Sequence, residues 1–226
     1  MSIIFNRLKL HVEELKVILK SRSFEVPNTE ESIWDTYTYS SAAIRRANLD
    51  IIDAIEEKKL YMMHLCVFPH VYDSAPIFGF DVIAGPNKIT GAFLDFSNIG
   101  DHKLSMWFKS RVADSTWSKQ RQLPDWAKSI FSDSMIAAGN ISTEQELEEI
   151  LKISKDCLLY YLNNVLEMRP KLVYDELVKT YNFTEQQNFY CKQQKCNPHT
   201  PRVLKSLGFT EEQVYEYINN ELFPEV

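Results

Sequence analysis

The chain has 226 residues, of which 45% are hydrophobic and 25% are charged, and its formal net charge is −6. No stretch approaches the 18 or more unbroken apolar residues of a membrane-spanning helix, and a negative chain without a dense Lys/Arg block argues against nucleic-acid binding. The N-terminus mixes acidic residues with lysines and lacks the layout of a signal peptide. We therefore expect a soluble intracellular protein that binds neither membrane nor nucleic acid.

Residues 1–45 contain one regular pattern, an amphipathic helix over residues 1–21. The side of this helix that is predicted to be buried carries Ile4, Leu8, Val12, Leu15 and Leu19. Residues 22–45 show little periodicity and hold many hydroxyl and aromatic side chains. They are predicted to form an irregular connector.

A β pattern begins near residue 46. Four short apolar segments follow one another closely: NLDIIDAI (48–55), KLYMMHLCVFP (59–69), PIFGFDVIAG (76–85) and KITGAFLDFS (88–97). Their spacing leaves no room for crossover helices, so an antiparallel meander is predicted, with a tight hairpin turn at 85–88. Residues 101–133 are predicted to be partly helical, and residues 134–139 can add another strand.

The remaining residues have helical patterns. Ser142 or Thr143 can cap a long helix that runs to about Arg169, and a second helix follows Pro170, from residue 171 to about 194. Shorter helices are predicted over residues 200–207 and 210–222.

These elements predict an α/β protein. The sheet segments are apolar on both faces, and both faces therefore need helical cover. We expect a three-layer α/β/α sandwich with a central antiparallel sheet. The chain would form a single domain, 1–226, with an N-terminal helix and connector (1–45), a mainly sheet region (46–139) and a mainly helical region (140–226).

The four cysteines are Cys66, Cys157, Cys191 and Cys196, and none forms a CxxC pair. Reduced and mostly buried thiols are the expected state. The spacing of Cys191, Cys196 and His199 fits no standard zinc finger, and a fourth ligand is missing. We expect no metal site.

Three ionisable residues interrupt the apolar segments. Side chains alternate along a strand, so Asp50, His64 and Asp81 are predicted to share one face of three neighbouring strands. Gly79 and Gly91 would leave room above that face for a flat ligand. The pattern fits either satisfied core and edge residues or a pocket in which a buried carboxyl group with a raised pKa is coupled to an imidazole and donates protons.

Four stretches of the sequence resemble the ferredoxin-dependent bilin reductases. They are HLCVFPHVYDSAPIFGFDVIAG (64–85), LDFS (94–97), QLPDWAKSIFSD (122–133) and YCKQQKCNPHTPRVLKSLGF (190–209). They occur in the order found in that family, and the resemblance covers roughly residues 45–226.

The resemblance implies a function. Members of this family bind biliverdin IXα between the sheet and the C-terminal helices, and they contain no flavin, metal or nicotinamide. Electrons arrive singly from an external 2Fe–2S ferredoxin and protons come from side chains, so substrate radicals are intermediates. For this chain it implies no bound cofactor and the cytoplasm of a cyanobacterium or of a phage-infected host cell. We expect a monomer.

The resemblance also implies roles for individual residues. Asp81 matches the central proton-donating aspartate, and His64 matches the histidine of the phycocyanobilin-forming branch. Asp50 lies where that branch has a Glu and would be a second donor, near the terminal ring being reduced. Asn197 matches a pocket-facing Asn, and Thr90 is a further candidate for contact with the substrate.

The chain departs from that branch at its propionate-binding positions. Position 139 is Gly instead of a propionate-binding Arg, His199 replaces a Lys and Pro198 replaces an Asp. The candidates for binding the propionates are therefore Arg46, Lys192, His199 and Arg202. These changes look most like the phage-associated offshoot of the branch, whose product is phycoerythrobilin, although His64 and Asn197 alone would indicate phycocyanobilin.

An acidic ferredoxin would need a local basic face on this acidic protein. The densest basic group is Lys103, Lys109, Arg111, Lys119 and Arg121, which fits either a docking face or a merely solvated surface. Two other functions stay open: a bilin- or haem-binding carrier without redox activity, and an interaction module that uses the helical half.

Overall fold

The computed structural model describes residues 2–27, 35–99, 105–166 and 182–226. The strands are β1 (Phe24–Val26), β2 (Asp35–Ser40), β3 (Ile44–Ala54), β4 (Leu60–Pro69), β5 (Ile77–Ala84), β6 (Ile89–Ser97) and β7 (Ile136–Ala138). The α-helices are α1 (Ile3–Lys20), α2 (Ile55–Lys58), α3 (Met106–Ala113), α4 (Asp125–Lys128), α5 (Glu144–Tyr160), α6 (Thr184–Lys195), α7 (His199–Ser206) and α8 (Glu211–Glu216). Tyr161–Val165 and Tyr217–Leu222 continue α5 and α8 as π-helical turns.

The strands form one sheet in the order β1 to β7, and every neighbouring pair is antiparallel. The predicted meander is therefore confirmed as β3–β6, and the segment 134–139 contributes β7. The hairpin turn at 85–88 is closed by a hydrogen bond of 2.9 Å from the Gly85 amide to the Lys88 carbonyl.

The irregular connector predicted over residues 22–45 is wrong for the described part of that range. It contains β1, β2 and the start of β3. In β2, Thr36 and Tyr39 are buried, whereas Asp35 is exposed. Hydroxyl groups at five of the six positions hid this strand, because they make the segment look polar although Thr36 and Tyr39 are buried. Residues 28–34 of the predicted connector lie outside the described residues.

One face of the sheet is covered by α1 and α5. The five residues predicted for the buried side of α1 are all buried, and they join a core that includes Leu65, Phe80 and Leu94. Ion pairs between Arg7 and Glu148 and between Lys155 and Glu14 also connect the two helices.

The opposite face is covered by α6–α8. Cys66, Phe68 and Ile77 of the sheet form a second core with Tyr190 and Leu204. With a helical layer on each side of the sheet, the predicted α/β/α sandwich is confirmed.

The helical half agrees with the sequence in part. Thr143 caps α5 by accepting a hydrogen bond of 3.2 Å from the Glu146 amide. The helix predicted to run to about Arg169 already ends at Val165, because Leu166 has an extended backbone, and the predicted helix start at residue 171 lies outside the described residues. A single helix from 171 to 194 is wrong at 182–183, which are not helical: the Asn182 side chain accepts from the Thr184 amide, and Phe183 donates to the Val71 carbonyl.

All four cysteines are free, and Cys196 alone among them is exposed, as expected for reduced thiols. Within the described residues, no helix is both long and apolar enough to cross a membrane.

Candidate active site

A row of three ionisable side chains crosses the middle of the sheet. Asp50 of β3 lies directly opposite His64 of β4, and His64 lies directly opposite Asp81 of β5. Because the strands are in register, the three side chains point to the same face, which α6–α8 cover. The sequence prediction that these residues share a face is confirmed.

The row is connected through the imidazole. Nδ1 of His64 lies 3.2 Å from an Asp50 carboxylate oxygen, and Nε2 lies 3.7 Å from an Asp81 carboxylate oxygen. The Asp50 side chain is 2% exposed, that of His64 17% and that of Asp81 38%. Access from the space above the sheet therefore increases from Asp50 towards Asp81.

The surroundings favour protonated forms of two members of the row. Burial raises the pKa of Asp81, and the negative charge of Asp50 raises it further against the opposing effect of His64. Burial alone would lower the pKa of His64, but the charges of Asp81 and Asp50 and a hydrogen bond to Asp50 raise it overall. Since the two groups interact directly, they titrate as a pair. The surroundings thus shift both groups towards their protonated forms.

A cavity of about 330 Å³ lies above this row. Its volume falls in the range of small-molecule sites, about 300–1,000 Å³. The lining is mostly apolar: Ile52, Met62, Ile83, Phe93, Leu123, Pro124, Trp126, Phe131, Val203, Leu222 and Phe223. An apolar cavity with titratable groups on its floor is suited to a largely hydrophobic, flat ligand that exchanges protons.

The segment 121–135 closes one side of the cavity and is fixed by a buried carboxylate. The Ser132 amide and the Ser97 hydroxyl each donate a hydrogen bond of 2.9 Å to Asp95, and the Ser132 hydroxyl also donates to it. Burial raises the pKa of Asp95 to about 6, while these hydrogen bonds oppose the shift. The segments LDFS and IFSD thus act together to hold Trp126 over the sheet.

One arginine reaches the cavity in the space left by a glycine. Gly139 and Arg121 belong to adjacent, hydrogen-bonded backbone segments, and a Cβ atom at position 139 would lie 3.0 Å from Nε of Arg121. Arg121 donates to the Thr90 carbonyl, and within the described part of the chain it has no acidic partner. Its guanidinium group is therefore available to an anionic ligand.

The structure places the other predicted site residues in two groups. Asn197 and His199 line the cavity. The Asn197 side chain accepts a hydrogen bond from the His199 amide at the first residue of α7. Thr90, Arg46 and Arg202 are outside the lining formed by the described residues. The Thr90 hydroxyl donates to the Ile83 carbonyl, Arg46 donates to the side chain of Asn48, and Arg202 is exposed on α7.

Neither glycine singled out in the sequence opens the cavity. The space above Gly79 is occupied by Tyr190, whose hydroxyl lies 3.7 Å from where a Cβ would be, and the space at Gly91 is occupied by the Phe93 ring, 3.0 Å away. The free volume instead lies over Asp81 and Ile83.

The described members of the predicted basic group have different surroundings. Arg111 is paired with Glu149 at 2.8 Å and with Asp156 at 3.5 Å, and Arg121 faces the cavity. Lys109 and Lys119 are exposed. Lys103 lies outside the described residues.

Sequence reasoning missed two side chains that contact Asp50. The Thr36 hydroxyl donates to Asp50 at 2.8 Å, and Tyr217 is hydrogen-bonded to the same carboxylate. Thr36 belongs to a strand that had been predicted as a connector. Tyr217 reaches Asp50 from the C-terminal helix, and no sequence signal specifies which face of that helix meets the sheet.

Comparison with known proteins identifies the family of this chain. The model of the family described as ferredoxin-dependent bilin reductase matches residues 5–224. The chain is 32% identical over 178 residues to a phycocyanobilin:ferredoxin oxidoreductase from Prochlorococcus marinus, a match that covers 77% of this chain and 70% of the relative. A protein of the same name from Trichodesmium erythraeum is 27% identical over 198 residues, with 86% of this chain and 77% of the relative covered.

Two solved structures have a similar fold. A protein named PcyX matches with a TM-score of 0.64 and 28% identity, covering 97% of this chain and 99% of its own. Phytochromobilin synthase from tomato, solved in complex with biliverdin, matches with a TM-score of 0.71 over 96% of this chain and 81% of its own. At 16% identity, the tomato protein supports the fold alone. Since the family model accounts for all but a few residues at each end, this chain belongs to the ferredoxin-dependent bilin reductases.

Proposed function

We propose that this protein reduces biliverdin IXα to a phycobilin, with electrons delivered singly by an external 2Fe–2S ferredoxin and no resident cofactor. The observation that carries the proposal is the connected row of Asp50, His64 and Asp81 on the floor of an apolar cavity in a bilin reductase. A flat tetrapyrrole lying against this face would cover His64 and Asp81.

In the proposed mechanism, side chains protonate the bilin as electrons arrive. Protonated Asp81, the most exposed member of the row, donates to the tetrapyrrole, which makes each one-electron step through a bilin radical easier because the accepting molecule is less negative. His64 restores the proton on Asp81 through Nε2. Asp50 is too buried for broad contact with the ligand, so it acts as a second donor mainly through Nδ1 of His64.

Substrate anchoring follows from charge. Biliverdin carries propionate carboxylates, and Arg121 presents a guanidinium group without an acidic partner among the described residues. We assign one propionate to Arg121, which substitutes for the arginine that the related branch has at position 139. His199 and Asn197 would contact polar groups of the substrate at the opposite edge.

We favour phycoerythrobilin, a four-electron product, with phycocyanobilin as the alternative. The loss of an arginine at position 139 and the exposed His199 support a substrate position that differs from that of the phycocyanobilin branch. His64 and Asn197, which both line the cavity, support the alternative.

The test is an anaerobic reaction of the protein with biliverdin IXα and reduced ferredoxin, with products separated by chromatography. Phycoerythrobilin is the expected product. Phycocyanobilin would overturn the product assignment while leaving the reductase intact. Binding of biliverdin without turnover with any ferredoxin would instead support a carrier.

Replacing Asp81 distinguishes a reductase from a carrier. Asp81→Asn keeps the shape of the cavity, so biliverdin binding should persist, while turnover should fall by about a hundredfold or more because the acid is lost. Absorption spectra during reduction should show a stalled radical species. The matched control is Asp53→Asn, since Asp53 points to the other face of β3 and pairs with Lys9 at 2.6 Å. Equal turnover in wild type and Asp81→Asn would exclude this role for Asp81.

A further inference from the structure

The polar row does not end at Asp50. Thr36 of β2 lies directly opposite Asp50 in the sheet, and its hydroxyl lies 2.8 Å from one carboxylate oxygen of Asp50. The same hydroxyl lies 3.4 Å from a carboxylate oxygen of Glu221. A continuous series of exchangeable groups thus runs from Asp81 through His64, Asp50 and Thr36 to Glu221.

The two ends of this series have different surroundings. Asp81 faces the cavity, Asp50 and Thr36 are 2% and 8% exposed, and Glu221 is partly exposed at the protein surface. Glu221 is held in place from its backbone, because its carbonyl accepts a hydrogen bond from the side chain of Asn48 in β3. The series therefore joins the cavity floor to solvent on a path that does not cross the cavity.

Bilin reduction creates a need for such a path. Each two-electron reduction adds two electrons and two protons to the bilin, and a four-electron product requires four protons. His64 and Asp81 can store two. If the substrate covers both groups, as the proposed function requires, protons consumed during catalysis cannot return through the cavity.

We infer that Glu221 supplies protons to the His64–Asp81 pair through Thr36 and Asp50. Protonated Glu221 donates to the Thr36 oxygen, the Thr36 proton passes to Asp50, and the Asp50 proton passes to Nδ1 of His64 while Nε2 releases one to Asp81. Glu221 regains its proton from water, and no electrons move along this path. Glu221 and Thr36 act through Asp50 and do not touch the substrate.

Tyr217 and Arg46, both in the part of the chain that the structure describes, also face this path. Tyr217 is hydrogen-bonded to Asp50, and burial raises its pKa well above the usual value, so it keeps its proton near neutral pH. Burial lowers the pKa of Arg46, while the charges of Asp50 and Glu221 oppose that shift, which places this cation beside both carboxylates. Arg46 would stabilise the Glu221 carboxylate as it forms and so favour release of the Glu221 proton towards Thr36.

The inference is tested with Glu221→Gln, Thr36→Val and Thr36→Ser in the ferredoxin-driven reaction. At pH 8, Glu221→Gln and Thr36→Val should complete the four-electron reduction about tenfold more slowly and accumulate a partly reduced bilin. The defect should shrink towards pH 6, and small diffusible acids such as acetic acid or imidazolium should restore part of the rate in Glu221→Gln. Thr36→Ser, which keeps the hydroxyl, should react almost as wild type.

The matched control is Glu216→Gln, since Glu216 is an exposed acid on the same helix. Biliverdin binding and thermal unfolding should be the same in wild type, Glu216→Gln and Glu221→Gln. Wild-type rates in Glu221→Gln and Thr36→Val from pH 6 to pH 9 would overturn the inference, as would a loss that neither pH nor added acid changes. An inactive wild-type protein would instead refute the proposed function.

Discussion

At the scale of single residues, the site depends on placing opposite charges side by side under an apolar cover. His64 lies between two carboxyl groups, and their charges outweigh the effect of its burial on its pKa. Removing either carboxyl group would lower the pKa of the imidazole, because a nearby negative charge favours its protonated form. Asp81 and His64 are therefore better described as one proton store than as two separate acids.

Arg121 gives a residue-scale prediction about substrate affinity. Arg121→Gln should weaken biliverdin binding by about tenfold, since a hydrogen bond to a charged group contributes about 1.5–3 kcal/mol and Arg121 is partly solvated. Binding is measured from the shift of the bilin absorption band. Biliverdin dimethyl ester, which lacks free carboxylates, should bind wild type and Arg121→Gln equally. Lys119→Gln serves as the control for a nearby exposed cation.

An equal loss of affinity for the free acid in Arg121→Gln and Lys119→Gln would contradict the assignment. It would mean that general surface charge, not a specific ion pair, attracts the substrate.

At the scale of elements, the sequence predicted the direction of side chains on β3–β5 but not the packing of the helices that cover the site. The alternation of side chains along β3–β5 was enough to predict that Asp50, His64 and Asp81 point to one face. This alternation is a local property of a strand, so the sequence pattern alone reveals it. Tyr217 and Arg121 could not be placed in this way. Their positions depend on how α8 packs and on Gly139 leaving space, and both are tertiary effects.

The contact between α1 and α5 gives an element-scale prediction about stability. His11 of α1 is buried and lies 2.9 Å from the Ser154 hydroxyl of α5, and burial lowers its pKa to about 4. Between that value and the ordinary pKa of 6.5 the unfolded chain binds more protons, so stability falls as the pH falls. From pH 7 to pH 5 this residue should remove about 2 kcal/mol from the free energy of unfolding.

Urea unfolding of wild type and His11→Gln measures this effect, because the Gln side chain does not titrate and its amide can still form a hydrogen bond with the Ser154 hydroxyl. The stability difference between the two proteins should change between pH 7 and pH 5 and stay constant between pH 7 and pH 8.5. A constant difference over the whole range would show that His11 is not held neutral.

At the scale of the whole molecule, the ligand cavity is part of the interface between two layers. Its floor is the sheet and its walls are α7, the C-terminal residues and the segment 121–135. A bound bilin would therefore join elements that are far apart in the sequence and would bind the folded chain only.

This gives a whole-molecule prediction about ligand-dependent stability. Free biliverdin at 100 times its Kd should raise the free energy of unfolding by about 2.7 kcal/mol. Asp81→Asn should be stabilised similarly, because the substitution keeps the cavity. The measurement is the urea midpoint with and without biliverdin. No shift at a concentration that saturates the absorption change would indicate attachment outside the interface between the layers.

The direct opposition of residues in β3, β4 and β5 also limits how the length of this chain can vary. Inserting one residue within β4 would move His64 or Leu65 to the opposite face of the sheet. An ionisable His64 would then enter the core under α1, or an apolar Leu65 would enter the row of proton-transferring groups. Insertions in the hairpin turns leave the strand registers unchanged. Length differences among relatives should therefore occur in the turns, or within strands only as bulges that absorb the extra residue.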